Sequence, residues 1–138
     1  MKIKYLVFVL LSASILLWLS VFTYPERKLH LVFCDVGQGD AILASYGQVQ
    51  VLIDGGPGNK VLSCLSNNMP FWDRKIEMVI LTHADNDHLA GLIPVIQRYS
   101  VDQFVSNGLV VDKDIFWEAR NKLLRSKFQF TYLGQEIE

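Results

Sequence analysis

Hydrophobic residues are arranged along this chain in two different ways. From Tyr5 to Pro25 they form one uncharged run, YLVFVLLSASILLWLSVFTYP. At ~1.5 Å per helical residue, about 20 residues cross the ~30 Å hydrocarbon core of a bilayer. Residues 1–24 are therefore expected to be a transmembrane anchor that meets lipid over residues 5–24. Lys2, Lys4 and the amino group favour a cytoplasmic start. Trp18 and Tyr24 suit the far interface. The expected location is the cell membrane, single-pass, with the globular part extracytoplasmic. A cleaved signal peptide is the competing reading. Its apolar core usually spans ~7–15 residues and ends in a small-x-small site. The run here is longer and Leu19-Ser20-Val21-Phe22-Thr23 cleaves poorly, which favours an uncleaved anchor.

After a polar linker at residues 25–28, the period shortens. Leu29 to Val36 is apolar on both faces and predicts a strand buried on both sides. Ala41 to Tyr46 and Val49 to Asp54 predict two more strands, joined by a tight turn at Gly47-Gln48 into an antiparallel meander. Asn59 is the expected N-cap of a helix to about Asn68, stopped by Met69-Pro70. Met78 to Thr82 predicts a short apolar strand, Gly91 to Tyr99 a helix with Pro94 near its first turn, and Val101 to Ser106 a strand. Asp112 or Asp114 is expected to cap a helix to about Lys127, with Phe116, Ala119 and Leu123 on one face. Phe128 to Leu133 closes as a strand with Phe128, Phe130 and Tyr132 on a shared face. Alternating strands and helices after a meander predict a layered α/β domain.

Composition changes this picture little. The 138 residues suffice for one small domain, and the formal net charge of −1 supplies no global field to attract nucleic acid. Arg120, Lys122, Arg125 and Lys127 gather near the carboxy terminus, but Glu118 offers Lys122 an i,i+4 partner, so a solvated helix face accounts for them. Cys34 and Cys64 lie in the apolar runs LVFCDV and VLSCLS. An outside location permits a disulfide, yet their surroundings suggest two buried thiols.

The chemistry concentrates in Leu81-Thr82-His83-Ala84-Asp85-Asn86-Asp87-His88, between an apolar strand and a helix. Imidazole nitrogens and carboxylate oxygens suit zinc and its neighbours. In an extended stretch, alternation points His83, Asp85 and Asp87 to one side, and His88 approaches from another direction. One short loop could thus serve two metals ~3.5–4 Å apart, which bring the pKa of bound water to roughly 7. The competing reading is a solvated polar loop. Carboxylates clustered this closely repel one another without a cation or donors, which favours the metal.

Three segments in order, Phe33-Cys34-Asp35-Val36-Gly37-Gln38-Gly39-Asp40-Ala41-Ile42, Leu52-Ile53-Asp54-Gly55-Gly56 and Leu81 to Leu92, resemble the metallo-β-lactamase superfamily. Within it they look most like the extracytoplasmic domain of the ComEC competence family. The resemblance runs from about Leu29 to the end of the chain. It implies that residues 29–138 are the amino-terminal half of an αββα sandwich. It also implies His83 and Asp85 for a first metal, Asp87 and His88 for a second, and Asp87 as the catalytic carboxylate. Asp85 stands where the usual His-x-His-x-Asp-His motif has its second histidine. Zn2+ is the implied metal, with Mn2+ the alternative. Asp54 is expected to orient a ligand imidazole or metal-held water, with a plain turn carboxylate the equal alternative. Asp35 and Asp40 flank a loop that the resemblance puts beside the site, although a glycine turn explains the loop by itself.

The family's later ligands, an Asp and a His-rich segment, do not occur before Glu138, and His30 reads as a strand residue. A truncated reading frame, or a subunit completed by a second half-domain chain or homo-oligomer, is therefore expected. Leu31, Phe33, Val51, Ile53 and Val79 should then include an uncovered apolar face. The functional expectation is a metal-dependent hydrolase of phosphodiesters, with nucleic acid as substrate during DNA uptake. The alternatives are a non-catalytic anchored binding module or a fragment without independent function.

Overall fold

The computed structural model describes residues 2–22, 26–106 and 129–132. The helix expected from Asp112 or Asp114 to Lys127, its basic cluster, and Tyr24 lie outside the described residues. Helix α1, Lys2–Phe22, contains a 20-residue apolar stretch, Ile3–Phe22, of mean hydropathy 2.4 and with no part buried. By length and composition it is able to cross a bilayer.

The remainder is mixed α/β, built on a six-stranded sheet. In chain order the elements are β1 Leu29–Phe33, β2 Ile42–Tyr46, β3 Val49–Ile53, α2 Lys60–Asn68, β4 Lys75–Leu81, α3 Asn86–Leu89, α4 Leu92–Arg98, β5 Ser100–Ser106 and β6 Gln129–Tyr132. The strands lie side by side in sequence order. The expected meander is present: β1, β2 and β3 pair antiparallel. From β3 onward the pairs are parallel, because each return passes through intervening chain rather than a tight turn.

One sheet face carries Leu43, Leu52, Val79 and Phe104, all essentially buried, and shares its core with Val61, Leu62 and Leu65 of α2 and Leu92 and Val95 of α4. Each such side chain contributes about 1.5–3 kcal/mol when fully buried. At the start of β4, Lys75 Nζ bridges Asp102 at 2.6 Å and Glu77 at 3.4 Å. Those carboxylates, Asp102 foremost, hold its amino group above the ordinary lysine range. The other Glu77 oxygen accepts from the Gln50 backbone N–H at 2.7 Å, tying β3, β4 and β5 together.

Three expectations need correction. The Leu29–Val36 run is not a strand buried on both sides. It ends as β1 at Phe33, is paired with β2 alone among the described residues, and leaves Leu31 56% and Phe33 76% exposed. Apolar composition signals burial without revealing how many neighbours a strand has. On the same face Val51 and Ile53 are half-buried, whereas Val79 points the other way, into the helix-covered core. The cysteines are not free thiols. Cys34 and Cys64 form a disulfide with Cα atoms 5.7 Å apart, joining the end of the edge strand to α2. Closing a loop with a sequence separation of 30 stabilises the fold by about 4 kcal/mol on the chain-entropy account. Asn59 precedes α2 but makes no side-chain cap; its backbone carbonyl accepts from Leu62 instead.

Candidate metal centre at the ends of β3 and β4

Strands β3 and β4 run parallel with Ile53 opposite Ile80, so their carboxy ends lie together. Directly after β3, Asp54 takes a left-handed backbone, φ 56°. This conformation costs a side-chain-bearing residue about 1–2 kcal/mol, and Asp is among the few that tolerate it. The Asp54 N–H donates to Ile80 O at 2.8 Å, and the turn throws the carboxylate across the end of β4. There Oδ1 accepts from the Thr82 backbone N–H at 2.9 Å. Oδ2 accepts from the Thr82 hydroxyl at 2.6 Å and lies 3.0 Å from His88 Nδ1. Asp54 is 2% exposed and His88 8%. Hydrogen bonds to a charged group are worth roughly 1.5–3 kcal/mol each, enough to offset the strained backbone. Asp54 is thus the turn residue before Gly55 and also a hydrogen-bond partner of the His88 imidazole. A carboxylate oxygen accepts, so His88 Nδ1 is the donor in this pair and Nε2 is the ring nitrogen turned away from Asp54.

The loop itself is extended only to Asp85, φ −82° and ψ 153°. Asn86 to Leu89 then winds into the short helix α3, with the N–H groups of His88 and Leu89 both reaching Asp85 O. Asp87 therefore does not alternate with His83 and Asp85 as expected; it travels with His88 on the helical turn. The result is two acid–imidazole pairs. His83 Nε2 lies 3.6 Å from Asp85 Oδ2, and His88 Nε2 lies 3.9 Å from Asp87 Oδ1. The two imidazoles adjoin, ring centroids 3.8 Å apart. The four expected donors thus form two separate acid–imidazole pairs whose rings adjoin.

Glycines make the arrangement compact. A Cβ on Gly39 would strike the Asp87 carbonyl, and one on Gly91 would strike the Gly55 carbonyl. Gly55 N donates to His88 O, Gly91 N to Gly56 O and Gly56 N to Asp40 O, at 2.8–2.9 Å. The Gly37–Asp40 loop therefore backs the Thr82–His88 segment. Asp35 and Asp40 are exposed, and Asp40 takes part through its backbone carbonyl. His30 stands apart from the other two histidines, lining a cavity of about 360 Å³ with Glu26, Ser45, Gln50, Asn67 and Asn68. Thr82 was not singled out by the sequence. A hydroxyl residue immediately before the first histidine, at a strand end, is the signal that could have found it.

The donor chemistry fits a divalent metal in kind. Imidazole nitrogen and carboxylate oxygen are both ordinary zinc ligands. It does not fit in number: among the described residues no group of three or more His, Cys, Asp or Glu side chains is placed to hold one ion.

No family model and no curated protein sequence matches the chain. Among solved structures, it is similar to the Rm3 metallo-beta-lactamase, at 20% identity and TM-score 0.49, over 62% of this chain and 32% of that one. It is similar to the metallo-beta-lactamase fold protein YhfI from Bacillus subtilis, at 18% and 0.47, over 81% and 45%. A diphosphatase from the PhnP family is similar at 19% and 0.47, over 72% and 39%. The chain spans between 32% and 45% of the length of these three structures.

Proposed function

We propose that the Thr82–His88 segment is the amino-terminal contribution to a divalent-metal hydrolase centre of the metallo-β-lactamase type, anchored to the membrane by α1. The observation that carries the reading is the buried Asp54–His88 hydrogen bond at 3.0 Å. It turns Nε2 of His88 toward Asp87 and beside His83. Ligand histidines typically give their other N–H to a carboxylate in this way.

His83 and Asp85 would hold one ion, and Asp87 and His88 a second. When bound, zinc or manganese supplies acidified water and charge stabilisation for an anionic phosphoryl group. Asp87 is half-buried and adjoins His88, so its carboxylate would help hold a metal there and would be the candidate catalytic carboxylate. The remaining donors would come from outside the described residues, from a partner chain or from a second copy.

The substrate we favour is a phosphodiester, with DNA in uptake as the setting. Asp35-Val36-Gly37-Gln38-Gly39-Asp40, and Asp85 in place of a second histidine, support a ComEC-like reading over a β-lactam one. Lys2 and Lys4 at the start of α1, together with the Cys34–Cys64 disulfide, support an extracytoplasmic domain, since disulfides persist in oxidising compartments. The test is metal content and bis-nitrophenyl phosphate turnover of the full chain in detergent, with and without His83→Ala and His88→Ala. Zinc retention that both substitutions abolish is expected. A folded chain that takes up neither zinc nor manganese ends this reading.

The exposed apolar surface of β1 favours a second reading, an anchored module that binds a partner without catalysis. Metal-independent binding with no hydrolysis in the completed assembly would select it.

A further inference from the structure

Exposed apolar side chains outside α1 gather at one end of the sheet. Strands β1, β3, β4 and β5 all begin at that end, and β2 finishes there. Leu29, Tyr46 and Val49 stand in register along its rim, all exposed. The turn from α2 into β4 reaches the same end and carries Phe71, 79% exposed, and Trp72, 46% exposed. Their rings meet edge to face with centroids 4.8 Å apart. A tryptophan combines a broad apolar body with one polar N–H, which suits a boundary between apolar and wet surroundings.

Beside this turn lies a cationic cavity of about 230 Å³, where Arg74, Arg98 and Tyr99 join Leu62, Ser63 and Ser66. Arg74 stands 5.6 Å over the Tyr99 ring, and its Nη1 donates to the Tyr99 hydroxyl at 3.4 Å. Tyr99 is buried, and its own hydroxyl proton meets no acceptor among the described residues. The acids of this end are engaged elsewhere: Glu26 pairs with Lys28, Glu77 and Asp102 with Lys75, and Asp73 accepts from the Lys75 N–H. Neither arginine has an ion pair among the described residues. Two guanidinium groups and a phenol O–H therefore border a cavity lined by no acid. Arginine's fork of donors matches the oxygens of a phosphate.

The anchor decides what this end meets. Residues 23–28 alone separate Phe22 of α1 from Leu29 of β1, and so short a segment spans at most roughly 25 Å. The rim is thus tethered close to the headgroup layer, where tryptophan and tyrosine concentrate at membrane surfaces. We infer that this end of the domain rests on the bilayer that holds α1, with Phe71 and Trp72 among the headgroups and an anionic lipid phosphate held by Arg74, Arg98 and Tyr99. The seat depends on α1 being a bilayer anchor and is independent of any metal. It leaves the carboxy ends of β3 and β4 facing away from lipid. Strand β4 has seven residues, so Thr82 to His88 stand about 20 Å farther out.

The experiment uses the full chain in vesicles of phosphatidylcholine, alone or mixed with phosphatidylglycerol. Lipids brominated high on their acyl chains quench any tryptophan that touches them. The chain has three tryptophans, Trp18, Trp72 and Trp117. Trp18→Phe with Trp117→Phe leaves Trp72 to report the seat, and Trp72→Phe with Trp117→Phe leaves Trp18 to report the anchor. Trp72 should be quenched in the mixed vesicles. Arg74→Gln and Arg98→Gln should each lower its seated-to-free ratio by about fivefold, the weight of one cation at an anionic membrane. Arg98 is exposed at the end of α4, so its variant keeps the fold even if the Arg74 variant does not. Salt at about 1 M should act in the same direction by screening, and Trp18 should remain quenched throughout. Quenched Trp18 with unquenched Trp72 overturns the seat and leaves the anchor. Neither being quenched removes the anchor and the seat with it. Trp72 quenching that needs neither phosphatidylglycerol nor the arginines overturns the phosphate contact. Arginine-dependent retention of DNA with Trp72 unquenched gives these side chains to nucleic acid and also overturns the seat.

Discussion

Asp54 carries the most consequence of any single residue in the described part of the chain. Its left-handed backbone and three accepted hydrogen bonds place one buried carboxylate where β3, β4 and α3 meet. Asp54→Asn would put an amide N–H either against the Thr82 backbone N–H or against the Thr82 hydroxyl and His88 Nδ1 together. The expected result is a loss of about 1–3 kcal/mol in urea unfolding, the cost of a buried unsatisfied polar group. Zinc affinity should fall about 10–100-fold by chelator competition. Glycines give a sharper contrast. Gly91→Ala drives a methyl into the Gly55 carbonyl, a backbone atom that cannot swing away, and should cost about 1–3 kcal/mol. Gly58→Ala meets nothing within 4 Å and should stay within about 0.5 kcal/mol of wild type in the same assay. The four donors were legible in the sequence because they lie within six positions of one another. Thr82 was not, because its role depends on a carboxylate 28 residues earlier that a backbone turn sends across the neighbouring strand.

At the scale of elements, periodicity located the described strands, α2 and α4 to within a few residues, and the switch from antiparallel meander to parallel pairing accompanies the longer connections after β3. It misjudged β1, whose Leu, Val and Phe content mimics a central strand although it stands at the edge. It also missed the disulfide, since the approach of Cys34 to Cys64 is a product of the fold and not of spacing in the chain. That link is what secures the edge strand to α2. The double variant Cys34→Ser, Cys64→Ser should lose about 2–4 kcal/mol, read as a lowered urea midpoint. Reductant should produce a similar fall in the wild type and none in the variant.

For the molecule as a whole, the sheet is dressed unequally. One face is sealed by α2 and α4, while the other shows Leu29, Leu31 and Phe33 at its margin. An exposed apolar edge strand is a template for further pairing. Leu31→Lys combined with Phe33→Lys should reduce concentration-dependent self-association, measured by sedimentation velocity in detergent, without altering the urea midpoint by more than about 0.5 kcal/mol in stability. If self-association is unchanged, the contact between copies lies elsewhere.

His83, Asp85, Asp87 and His88 sit on one unbroken stretch of main chain, seated by its own amides and carbonyls on Gly55 and Gly56. Their mutual spacing is thus an inherited property of a cassette, insulated from whatever happens farther along the sheet. On the proposed reading, whatever completes the cluster would dock against a stretch of chain that is already seated.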